Sequence, residues 1–89
     1  PGVSPLHCFL KDTKRARYTA ASDEDALEAF KLVTKYEKLR PSLEPSHAFS
    51  VAIKESKKFS KDTIVVVNSC GDAYKDKQII KKRLGKKYA

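Results

Sequence analysis

The chain is poor in most of the residues from which small proteins build reactive sites. Its three glycines, Gly2, Gly71 and Gly85, are too scattered for a phosphate-cradling loop, and nothing matches a Walker motif. There are two cysteines, Cys8 and Cys70, and two histidines, His7 and His47, with no paired-Cys spacing, so no metal site is expected. The cysteines lie far apart in a chain without a secretory leader, which predicts free thiols in a reducing compartment. The longest apolar run, Ile64 to Val67, is four residues, far short of the ~20 that span a bilayer. No charged-then-apolar segment opens the chain, which argues against secretion and for the cytoplasm, with a plastid address left open. Nor does it open on methionine: Pro1 reads as the start of a chain processed or cut from something longer.

What is present is a soluble globular balance, 40% hydrophobic and 34% charged, in 89 residues that allow one modest core. The formal net charge is +8. Lys81, Lys82, Arg83, Lys86 and Lys87 crowd the last nine positions, ending in a basic tail over 85–89. A solvated basic face is the ordinary reading of such a distribution. A footprint for nucleic acid or another acidic partner is the alternative.

Along the chain, "PGVSPLHCFLKDT" reads as an entry loop and "ARYTAA" as a short strand. "SDEDALEAFKLVTKYEKLR" is a helix. Ser22 and Asp25 form a capping box, and Ala26, Leu27, Phe30, Val33 and Tyr36 share one stripe. Lys35, Lys38 and Arg40 complement its far end, and Pro41 stops it. "PSLEP" is expected to stay non-helical because residues before proline avoid helical angles. Ser46 then caps a second helix from His47 to about Lys58, whose wide apolar stripe predicts burial on more than one side. "TIVVVN" lacks alternation, the pattern of a strand covered on both faces. The loop "SCGDAY" leads to a last helix, "KDKQIIKKRL", with Ile79, Ile80 and Leu84 inward and Gly85 as its stop. The expected fold class is therefore α/β, a partial three-layer arrangement in which helices flank a short, mostly parallel sheet of one to three strands. So few strands are not self-sufficient, and their sheet is expected to continue elsewhere.

Taken singly, His47, Glu44 and Cys70 have ordinary readings: a satisfied backbone partner, a solvent-facing carboxylate and an inert thiol. Together they say more. Ligands in open α/β sheets bind beyond the carboxyl ends of strands, where "NSCG" falls, and "LEPSH" opens the helix just before that strand. Small polar groups beside apolar walls suit the edge of a flat heteroaromatic ligand.

Three stretches, in order and without gaps over Pro1 to Asp76, resemble the carboxyl-terminal part of the tryptophan synthase beta chain family. "PGVSPLHCFLKDTKRARYTAASDEDALEAFKLVTKYE" is similar to that family's PGVGPE segment and the "DEALEAFK" helix after it. "LEPSHAFSVAI" is similar to its LESSHA helix start, and "VVVNSCGDAYKD" to its VVNLSGRGDKD strand and loop. The resemblance implies a pyridoxal-phosphate-dependent lyase that makes tryptophan from serine and indole. It implies Glu44, Ser46, His47, Cys70 and Gly71 as cofactor-binding residues. Cys70 stands where the family's serine donates to the pyridine nitrogen, and Gly71 where a glycine lets the backbone pass close to the ring. The implied partners are the remainder of the beta chain and an alpha subunit. Asp72, Ala73 and Tyr74 depart from the family's Arg, Gly and Asp, Ser4 and Leu6 from its Gly and Glu, and "KLRPSL" from its "GIIPAL". The family's Schiff-base lysine and glycine-rich phosphate loop fall outside the matching stretch, so the resemblance assigns no catalytic residue here. It implies a single domain over 1–89, or a carboxyl-terminal piece of a larger pyridoxal-phosphate fold, that is not active by itself. The contrasting expectation is a degenerate, non-catalytic basic module for nucleic acid or another acidic partner.

Overall fold

The computed structural model describes residues 3–88. Pro1 and Gly2 of the expected entry loop, and Ala89 of the expected basic tail, lie outside the described residues. The order is α1 (Pro5–Asp12), α2 (Asp23–Glu37), α3 (Leu43–Ser56), a 3-10 turn (Ala73–Asp76), α4 (Lys77–Leu84) and a terminal 3-10 turn (Lys86–Tyr88). All regular structure among the described residues is helical, which overturns the α/β, three-layer expectation. The only residue pairing of sheet type among them is a single antiparallel bridge between Pro41 and Asp72.

The most local expectation holds best. Ser22 caps α2, its Oγ accepting from the Asp25 amide at 3.1 Å while Asp25 Oδ2 accepts from the Ser22 amide at 3.3 Å. Ala26, Leu27, Phe30 and Val33 are buried as the stripe required, with Ala29 beside them, but Tyr36 is exposed. The helix ends at Glu37, and Lys38 closes it in the left-handed conformation at φ 59°.

Other boundaries moved for identifiable reasons. The expected entry loop contains α1, because Ser4 Oγ accepts from the His7 amide and Pro5 occupies the first turn, where a missing N–H costs nothing. "ARYTAA" is irregular rather than a strand. Helix α3 begins four residues earlier than expected, at Leu43. Pro45 falls in its first turn, where no intrahelical donor is required, so the proline is no barrier. Its buried residues are the small Pro45, Ser46 and Ser50 rather than a wide apolar stripe.

"TIVVVN" is irregular and forms no strand among the described residues. Ile64 and Val66 are each 88% exposed. A continuous apolar run signals burial on two faces, yet burial of a strand is conferred by adjacent strands and covering helices. Val65, Val66 and Val67 help line an open groove with Phe59 and with Ala48, Val51 and Ala52 of α3, yet Val65 remains exposed and Val67 half-buried.

The core lies at one end of the α2–α3 pair. Phe30 of α2, Ala73 of the 3-10 turn and Ile80 of α4 are fully buried together, and Leu43, Leu84 and Tyr88 pack around them. Ile79, expected inward, is half exposed. Gly85 does stop α4, with φ 101°. Two ion pairs and one histidine contact hold the helices around the acidic first turn of α2: Lys54 to Asp25, Arg83 to Glu24, and His47 facing Asp23. The radius of gyration, 14.6 Å, exceeds the ~12 Å of a compact domain this long, and the molecule is a plate 44 × 36 × 19 Å. Many large apolar side chains stay at its surface, Leu6, Phe9, Phe59, Ile64 and Val66 among them.

Phe30→Ala is expected to cost about 3–5 kcal/mol and Ser22→Ala about 1 kcal/mol, read from denaturant midpoints. The Asp25 carboxyl is held below its ordinary 3.8, chiefly by its bond from Lys54 and then by Ser22. Its stabilising contribution is therefore present above that ordinary value and fades as pH falls through the depressed one. An Asp25→Asn variant should lose this portion of the acid dependence in a pH series of thermal unfolding.

Candidate functional site

The start of α3 and the loop after "TIVVVN" lie against each other. Ser42 Oγ donates to the Cys70 carbonyl at 3.1 Å, and the Ala73 amide donates to the Arg40 carbonyl at 2.9 Å. The Leu43 amide donates to Asp76 Oδ2 at 2.8 Å. Lys75 Nζ reaches Glu44 Oε2 at 2.5 Å. Four contacts thus join residues 40–44 to residues 70–76. Each has a local cause. The first turn of α3 leaves amides without intrahelical partners, which attract a carboxylate. Gly71 at φ 89° turns the chain so that the following residues fold back over it.

Of the five residues singled out from sequence, Glu44, Cys70 and Gly71 lie on the two segments of this junction and all three are exposed. Ser46 and His47 are near in sequence but differently engaged. Ser46 is fully buried and its hydroxyl donates to the Ser42 carbonyl at 2.9 Å. His47 Nδ1 donates to the Leu43 carbonyl at 2.9 Å, and its Nε2 faces Asp23 Oδ1 at 3.3 Å across to α2. Both polar side chains are spent on holding the first turn of α3 in place.

The sequence reading missed Ser42, Lys75 and Asp76. Asp76 was hidden because its partner is distant in sequence. Ser42 was hidden because "PSLEP" was read as a turn, although a serine one position before a helix is an N-cap signal. The Lys75 ammonium is pushed above its ordinary 10.5, first by its hydrogen bond to Glu44. The bond therefore adds stability that is complete below that value and lost as pH rises through the raised one. Both partners are at least half exposed, which keeps the contribution small.

Chemically, the junction offers an exposed thiol, a carboxylate held by Lys75 and a glycine whose missing side chain lets the backbone lie close to Ser42. A Cβ on Gly71 would lie 3.0 Å from Ser42 Oγ. These features fit one edge of a flat ring with a nitrogen acceptor, as in pyridoxal phosphate. Among the described residues, no group of His, Cys, Asp and Glu side chains could hold a metal ion. No helix among them is long and apolar enough to cross a membrane.

No protein-family model matches the chain. Individual proteins do. It is 45% identical over 85 residues to the tryptophan synthase beta chain of Allorhizobium ampelinum, covering 96% of this chain and 21% of that protein. It is 47% identical over 76 residues to the tryptophan synthase beta chain of Vesicomyosocius okutanii, covering 85% of this chain and 19% of that one. The tryptophan synthase beta chain of Fusobacterium nucleatum is 45% identical over 76 residues, with the same coverages. Identity at this level over nearly the whole chain reflects common descent, and the matched stretch is a carboxyl-terminal portion, about a fifth of each relative's length. The chain belongs to the tryptophan synthase beta chain family.

Proposed function

We propose that this chain forms one wall of the pyridoxal-phosphate site of a tryptophan-synthase-beta-type lyase, which joins indole to serine. The observation that carries the reading is the junction itself: Glu44, Cys70 and Gly71 are exposed on two segments, 40–44 and 70–76, that are bonded to each other. Bound pyridoxal phosphate supplies the electron sink for such chemistry. The residues here bind and orient. The Cys70 thiol would offer a neutral donor to the ring nitrogen, which would leave that nitrogen unprotonated. Glu44, held by Lys75, would flank the ring, and Gly71 would give the ring edge room. Ser46 and His47 contribute by fixing the helix start.

The remaining walls come from the rest of a beta chain, and an alpha subunit is the further partner. The exposed apolar side chains of Ile64 and Val66 support this reading, since such surface suits burial against further chain. The cytoplasm fits two free thiols, Cys8 and Cys70, both exposed.

A chimera tests the proposal. This chain replaces the matching fifth of the Allorhizobium ampelinum beta chain, and the product is given pyridoxal phosphate, serine and indole. The chimera is expected to bind the cofactor, seen as a new visible absorbance band, and to form tryptophan. Cys70→Ala should lower kcat roughly tenfold, the loss of one donor to the ring, while Cys70→Ser should retain or raise it. A folded chimera that leaves the cofactor spectrum unchanged sinks the reading.

A further inference from the structure

Ser42 occupies the N-cap position of α3, from which a serine ordinarily accepts a bond from an amide of the helix's own first turn. It makes no such bond. Its hydroxyl turns away and donates to the Cys70 carbonyl. The capping task passes to Asp76, whose carboxylate accepts from the Leu43 amide. Ser42 is fully buried, so no water competes for the hydroxyl. The neighbouring Gly71 packs so closely that an added Cβ would sit 3.0 Å from Ser42 Oγ. One end of the loop is therefore pinned at Cys70, its middle at Ala73 and its other end at Asp76.

We infer that Ser42 is a positioning residue: its hydrogen bond to the Cys70 carbonyl fixes the Cys70–Gly71 peptide, and with it the direction in which the Cys70 thiol leaves the backbone. A thiol is a weak donor, and a hydrogen bond weakens steeply as its geometry opens. A backbone free to swing at Cys70 would forfeit what little directionality the thiol has. What the thiol faces rests on the cofactor reading above; the hold on the loop does not.

Two measurements separate these. On the full chain, Ser42→Ala is followed by residue-resolved amide exchange. The Ala73 amide, bonded to the Arg40 carbonyl within the same loop, should exchange about fivefold faster, the equivalent of one ordinary hydrogen bond, while mid-helix amides such as Val51 and Ala52 keep their rates. An unchanged Ala73 amide, or equal acceleration throughout α3, overturns the inference, because Ser42 is then idle or an ordinary cap. In the chimera with bound pyridoxal phosphate, Ser42→Ala should shift the cofactor's absorbance band in the same direction as Cys70→Ala. A band moved by Cys70→Ala but untouched by Ser42→Ala overturns the inference. A band moved by neither variant defeats the ring-edge reading instead, and the exchange result alone then decides whether Ser42 holds the loop.

Discussion

A carboxylate on one segment caps a helix that belongs to another, and the functional end of the molecule hangs on that exchange. Asp76 accepts from the first amide of α3, which ties the start of α4 to the start of α3 and closes the loop between them. The half-buried position of this bond matters, since a helix N-terminus left without an acceptor there would leave donors poorly solvated. With the bond made, Ala73 is seated against Phe30 and Ile80, so the polar clasp and the small core stabilise each other. Loosening either would free the loop that carries Cys70.

How much of this was legible depended on the range of the interactions. Helix α2 could be read because Ser22, Asp25 and the Phe30 stripe are linked within a few residues. The Ile64–Val67 run was misread because its apolarity describes an environment, and nothing within these residues supplies the neighbours. The start of α3 was misplaced by a rule about residues before proline that the first helical turn relaxes. Glu44, Cys70 and Gly71 were singled out through a family likeness and lie on the two bonded segments 40–44 and 70–76, whereas Ser46 bonds within α3 and His47 bonds within α3 and faces Asp23 of α2. Ser42, Lys75 and Asp76 act through partners roughly thirty positions away in sequence, beyond the reach of local patterns.

The flat shape and the surface apolar residues belong to the same picture. A plate one helix pair thick cannot hide Leu6, Phe9, Ile64 and Val66, so its stability rests on the α2–α3 pair and the few side chains around Phe30. The ion pairs on the first turn of α2 are exposed and individually weak. They set the angles between helices more than they add to cohesion.

The positions at which the loop departs from the family pattern sort by what they touch. Tyr74 is largely exposed, the Asp72 side chain accepts from the nearby Tyr74 amide, and Ala73 replaces one small residue with another in a fully buried seat. Gly71 tolerates no such drift. Its φ of 89° disfavours any side chain, and the nearest atom awaiting a Cβ is the one that grips Cys70. Diversification of this loop, whether by natural drift or by laboratory selection, is therefore channelled outward to positions 72 and 74, with residue 71 as a fixed pivot around which new edge chemistries can be tried.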